Sequence, residues 1–100
     1  MVNKNYQKGR AFEYKIKKAY EKSGYLVFRS AGSHSIADLI AIHPSGLVHL
    51  IQCKATTYNK ISKKELDNLR EVANRYNCKP VIAYKTTDDF IPVKILKEDE

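Results

Sequence analysis

The sequence predicts an α/β domain of two helices and five strands in the order α-β-β-β-α-β-β. Three observations carry that expectation. Two segments place apolar residues at helical spacing, five short runs read as strands bounded by turn residues, and 100 residues suit one hydrophobic core with nothing spare for a second. The expected organisation is one domain over residues 1–100.

From about Tyr6 to Ser23, Phe12, Ile16, Ala19 and Tyr20 recur at helical spacing with lysines on the opposite face, and Gly24 supplies a C-terminal stop. A short strand follows over Tyr25–Arg29, with Leu26 and Phe28 sharing one face, and the small and polar residues 30–36 read as a loop. Asp38 then opens Leu39–Ile42, an apolar run suited to a buried strand. His43, Pro44, Ser45 and Gly46 form a turn by composition, so the next strand, Leu47–Lys54, is expected to close a hairpin. Ser62 with Glu65 three residues later is a capping-box signature, after which Leu66, Leu69, Val72, Ala73 and Tyr76 mark the buried stripe of the second helix. Pro80–Tyr84 and Phe90–Leu96 read as the last two strands around a turn at Asp88 and Asp89.

A hydrophobic fraction of 43% beside 29% charged residues argues for a folded chain. The net charge of +7 understates the basic character of the body, because Glu98, Asp99 and Glu100 sit together at the C-terminus and leave 18 basic residues against 8 acidic ones elsewhere. A polyanionic partner is the natural inference, since lysines and arginines that displace counterions from phosphates supply most non-specific DNA affinity. Lys4, Lys8, Arg10, Lys15, Lys17, Lys60, Lys63 and Lys64 are the candidates for phosphate contact, with Ser30 and His34 as loop residues expected to touch DNA. Plain solvated lysine faces are the competing explanation. Cys53 and Cys78 match no zinc spacing and are expected to be reduced. No apolar run approaches the roughly 20 residues of a membrane span, and the polar N-terminus is unlike a signal peptide, so a soluble, cytoplasmic protein with no membrane partner is expected.

Alternate residues of a strand share a face, so Val48, Leu50, Gln52 and Lys54 point one way while His49, Ile51 and Cys53 point the other. Asp38 begins the adjacent hairpin strand, which can bring its carboxylate beside Gln52 and Lys54. A carboxylate and a carbonyl oxygen are hard ligands of the kind magnesium prefers. A divalent cation with an ammonium group nearby suits phosphodiester hydrolysis without a covalent enzyme intermediate. The bland readings are a turn residue for Asp38, a satisfied buried amide for Gln52 and a solvated strand-end cation for Lys54. His34, His43 and His49 form no pair of ligand geometry, which argues against a histidine metal site.

An aspartate, a spacer of about a dozen residues and a Glu/Gln-x-Lys triplet at a strand end resemble the core of the PD-(D/E)XK nuclease superfamily. More specifically, Lys8, Gly9 and Glu13, then Phe28-Arg29-Ser30-Ala31-Gly32-Ser33, then Ala37-Asp38-Leu39-Ile40-Ala41, then Ile51-Gln52-Cys53-Lys54 resemble, in order and spacing, the motifs of archaeal-type Holliday junction resolvases. The resemblance runs on through Pro80-Val81-Ile82-Ala83-Tyr84-Lys85 and covers about residues 7–95. It implies a restriction-endonuclease-like fold with a central mixed five-stranded sheet flanked by helices, and a catalytic set of Glu13, Ser33, Asp38, Gln52 and Lys54. Glu13, Asp38 and Gln52 would then be the metal ligands, for Mg2+ with Mn2+ as a substitute, and Arg29 would lie near the scissile phosphate. It further implies a homodimer that cuts branched DNA, the four-way junction, at two symmetric strands.

The chain departs from that pattern in having Gln52 where the resolvases usually have glutamate, which removes a negative charge and lowers the expected metal affinity. It also stops soon after its last strand, where several resolvases continue. Without the motif, Glu13 would read as a surface acid pairing with Lys17 four residues on. Two other functions stay open at the level of sequence: an Mrr-like restriction or repair nuclease acting on duplex DNA, and a non-catalytic DNA-binding module with a degenerate metal site.

Overall fold

The computed structural model describes residues 4–30, 37–54, 60–84 and 93–95. Its elements are α1 (Lys4–Lys22), β1 (Leu26–Arg29), β2 (Leu39–Ile42), β3 (Val48–Lys54), α2 (Lys63–Arg75), β4 (Lys79–Tyr84) and β5 (Val93–Ile95), the order read from the sequence. The strands form one five-stranded sheet in spatial order β1-β2-β3-β4-β5. All neighbouring pairs are antiparallel except β3 and β4, which run parallel. That parallel pair follows from α2, because strands running the same way need a crossover connection and a helix between them supplies it.

Each face of the sheet carries one helix. On the first, Phe12, Ile16 and Tyr20 of α1 pack on Val27, Leu39, Ala41, Ile51, Val81 and Ala83. On the second, Leu66, Leu69 and Ala73 of α2 pack with Ile61 on Ala37, Leu50 and Ile82. The alternation along β3 thus resolves into two cores, with Ile51 and Cys53 toward α1 and Leu50 toward α2. Burying that much apolar surface at about 25 cal/mol per Å² is the main force holding the helices to the sheet.

The helix ends follow the local signals. The N–H of Gly24, at φ +95°, bonds the Glu21 carbonyl, and that of Tyr25 reaches back to the Tyr20 carbonyl, so glycine's freedom at positive φ closes α1. At the start of α2, Ser62 accepts from the Glu65 N–H and Glu65 accepts from the Ser62 N–H, the reciprocal capping box.

Several residues differ from the sequence reading. Ala19 is exposed, because the stripe of α1 that meets the sheet is the narrower one through Phe12, Ile16 and Tyr20. Tyr76 is 68% exposed, since α2 stops at Arg75 and Tyr76 is its C-cap, with Asn77 at φ 58° turning the chain away. On β1 Leu26 and Phe28 share one face as expected, and that face stays open while Val27 is the buried residue. The expected turn at Asp88 and Asp89 and the ends of the last strand fall outside the described residues. Among those described, no helix is long and apolar enough to cross a membrane.

Candidate active site

Asp38 is placed by an irregularity in the ladder between β2 and β3. The register pairs Leu39 with Ile51, so a regular continuation would set Asp38 opposite Gln52. Instead the Asp38 N–H bonds the Ile51 carbonyl at 2.8 Å, and Asp38 Oδ2 accepts the N–H of Cys53 at 2.7 Å. A side-chain oxygen replaces a backbone carbonyl in the ladder, which ends the pairing and fixes the carboxylate on the residue between Gln52 and Lys54. The Asp38 carbonyl meanwhile accepts from Ser30 N–H at 2.9 Å, tying the end of β1 to the same point.

Glu13 reaches this corner from α1. Its Oε2 receives Arg29 Nε at 3.2 Å, and its carboxyl lies near enough to that of Asp38 to feel its charge. Lys17, the partner expected of an ordinary surface acid, pairs with Glu21 at 3.0 Å instead. Burial pushes the Glu13 carboxyl above the usual glutamate range; the Arg29 hydrogen bond opposes this, and the negative charge of Asp38 adds to it. Two carboxylates that feel each other's charge in partial burial are an electrostatically costly arrangement that a cation relieves. Arg29 supplies part of that relief in the chain itself. Beside them an open cleft of about 310 Å³ is lined by Arg10, Glu13, Tyr14, Lys17, Arg29 and Leu39, so three cations border its acid.

Gln52 and Lys54 share the face of β3 that looks toward α2. Lys54 Nζ donates to Glu65 Oε1 at 2.8 Å, across to the first turn of α2. The Lys54 hydrogen bond is also the main reason the Glu65 carboxyl is held below the usual glutamate range. Cys53, on the other face, is a free thiol whose pKa is pushed far up, first by burial and then by the charges of Asp38 and Glu13, which makes it an inert packing residue.

The end of β3 therefore gathers Glu13, Arg29 and Asp38 from the α1 side and Gln52, Lys54 and Glu65 from the α2 side. Among the described residues no group of three or more His, Cys, Asp or Glu side chains assembles a metal site. On the α1 side the charged oxygen donors are the carboxylates of Glu13 and Asp38; on the α2 side Glu65 is paired with Lys54, and Gln52 would add a neutral carbonyl. Such a set fits a hard divalent cation that keeps waters of its own. Arg10, Lys60 and Lys63 are exposed, Ser30 is half-buried, and Lys8 lies on α1. Ser33 and His34 lie outside the described residues. Glu65 is the residue that sequence reasoning used for capping alone; its second oxygen reaches Lys54 through tertiary packing.

Two turns further along, near the C-terminal end of α1, the side chains of Tyr20, Tyr25, His43 and His49 form an aromatic cluster. Tyr20 Oη lies 2.9 Å from His49 Nδ1, and the Tyr25 ring meets those of Tyr20, His43 and His49 at centroid distances of 4.9, 5.0 and 5.4 Å. Burial holds the His49 ring below its ordinary pKa, with the charge of Lys79 and then that of His43 adding to the shift.

Residues 4–100 match the family model described as archaeal Holliday junction resolvase (Hjc). The crossover junction endodeoxyribonuclease Hjc of Methanocaldococcus jannaschii is 35% identical over 88 residues, 86% of this chain and 65% of that protein. The chain thus spans just under two thirds of that relative's length. The solved structure of Archaeoglobus fulgidus Hjc, a Holliday junction resolvase from an archaeal hyperthermophile, superposes with a TM-score of 0.72 at 19% identity, over 87% of this chain and 76% of that one. That likeness bears on the fold.

Proposed function

The chain belongs to the archaeal Holliday junction resolvase family, and from that premise we propose that it is a metal-dependent DNA endonuclease that resolves four-way junctions by paired phosphodiester hydrolysis. The observation that supports this beyond kinship is the clustering of Glu13 and Asp38 at the end of the strand that carries Gln52 and Lys54. A pure binding module gains nothing from two neighbouring carboxylates inside an otherwise basic surface.

Glu13, Asp38 and Gln52 would hold the cation, Mg2+ with Mn2+ as a substitute. Bound there, it would supply charge neutralisation at the phosphate and activation of water at neutral pH. The other roles fall to the chain. Lys54 offsets negative charge that builds up on the phosphate, and Arg29 meets a non-bridging phosphate oxygen beside the cut. Ser33 completes the catalytic set. Lys8, Arg10, Lys60 and Lys63 hold the flanking backbone through phosphate contacts that fix register without reading sequence, and Ser30 and His34 contact the same strand. As a homodimer the protein would present two such sites to the two symmetric strands of a junction.

Cleavage of a labelled synthetic four-way junction against matching linear duplex, in Mg2+ and in Mn2+, with wild type and Asp38→Ala, tests this reading. Paired symmetric nicks on the junction, lost in Asp38→Ala, are expected. Equal cutting of both DNAs would replace it with a duplex nuclease, and tight junction binding without cutting in either metal would leave a binding module.

A further inference from the structure

We propose that Glu65 is a positioning residue that aims the Lys54 ammonium, and that the capping box of α2 is the device that holds Glu65 in place. The inference rests on the nuclease reading above. Both oxygens of the Glu65 carboxylate are committed: Oε1 receives Lys54 Nζ at 2.8 Å, while Oε2 accepts the Ser62 N–H at 3.4 Å. Ser62 Oγ in turn accepts the Glu65 N–H at 3.2 Å, so the residue is tied to the helix start by main chain and side chain alike. The helix start is itself fixed, because Ile61 and Leu66 on either side of the box are buried against the sheet.

Lys54 stands at the end of a strand on a flexible four-carbon stem, and a lysine left there samples many rotamers. Gln52, next on the same face, carries no charge to attract it, so the carboxylate that meets the ammonium comes from the helix. The parallel crossover from β3 through α2 to β4 is what brings residue 65 to residue 54. Outer-shell partners of this kind orient the groups that act and are worth about 10- to 100-fold in activity.

Glu65→Gln separates the two roles of this side chain, since glutamine also serves in a capping box but, with one acceptor oxygen and no charge, cannot at the same time form the ion pair with Lys54. Three measurements on the full chain test the proposal: single-turnover cleavage of the four-way junction in Mg2+, junction affinity in Ca2+, and the Lys54 Nζ signal in ammonium-selective 1H–15N NMR of the free protein. Thermal denaturation serves as the control for folding. The expected result is a cleavage rate lower by about tenfold or more, junction affinity and Tm near those of wild type, and loss of the protected Lys54 ammonium signal. A smaller fall in rate, or a Lys54 signal unchanged by the substitution, overturns the positioning role. If wild type cuts no DNA at all, the nuclease reading fails, and the NMR comparison alone then decides whether Glu65 fixes Lys54.

Discussion

The middle and the C-terminal end of α1 meet the sheet through polar side chains, and they do so in opposite styles. Near Tyr20 the cluster is closed: a hydroxyl and an imidazole nitrogen share a hydrogen bond, aromatic edges pack around them, and His49 is kept neutral by burial. Near Glu13 it is open and electrically tense: two carboxyls feel each other's charge, Arg29 pairs with one of them, and a cleft lies alongside. Satisfied polar groups in a core add rigidity, whereas like charges held together cost stability and persist where they do something else. One helix thus carries a structural anchor near its C-terminal end and a candidate catalytic group at its middle, about two turns earlier.

Exchanging carboxylate for amide at the tense end gives the largest expected effect. Asp38→Asn keeps an oxygen for the Cys53 N–H but relieves Glu13, so junction cleavage should fall more than about 100-fold while the urea midpoint equals or exceeds that of wild type. A lower midpoint would mean that the Asp38 charge supports the fold and would erase the contrast. At the closed end the outcome should reverse. Tyr20→Phe strands His49 Nδ1 in the core and should cost about 1–3 kcal/mol in urea denaturation, with single-turnover cleavage unaltered.

The anchor should also respond to acid. The folded-state pKa of His49 is lowered from 6.5, so between that lowered value and 6.5 the unfolded chain binds more protons, and stability is lost as pH falls through that window. His49→Gln should flatten that slope in denaturation curves taken between neutral pH and pH ~5. Glu65, with its pKa lowered from 4.5, contributes stability that is fully present above 4.5 and disappears as pH falls below it, so its signature lies at distinctly lower pH. The smallest effect belongs to Lys17→Ala, which breaks the exposed pair with Glu21 and should cost no more than about 0.5 kcal/mol.

The fold was largely legible because its signals are local: the stripes of Phe12, Ile16 and Tyr20 and of Leu66, Leu69 and Ala73, glycine after α1, the capping box before α2, and apolar alternation along β3. The errors fall where tertiary packing decides. Ala19 and Tyr76 continue the apolar spacing of their helices, yet one meets no strand and the other lies past the helix end. Leu26 and Phe28 do share a face as their alternation required, and only the openness of that face depends on tertiary packing. In the candidate site, the strand parity of Gln52 and Lys54 was readable from spacing. The turn of Asp38 onto Cys53 was not, since it depends on one broken ladder bond, and the reach of Glu65 to Lys54 depends on a crossover between distant segments.

The bond from the Cys53 N–H to Asp38 Oδ2 wires a backbone proton to the candidate metal ligand. That amide is therefore a built-in meter of the carboxylate's charge: its proton resonance should move when a cation binds Asp38 or a substitution removes its charge. One peak in an ordinary amide spectrum would then report occupancy of the site without any DNA being cut.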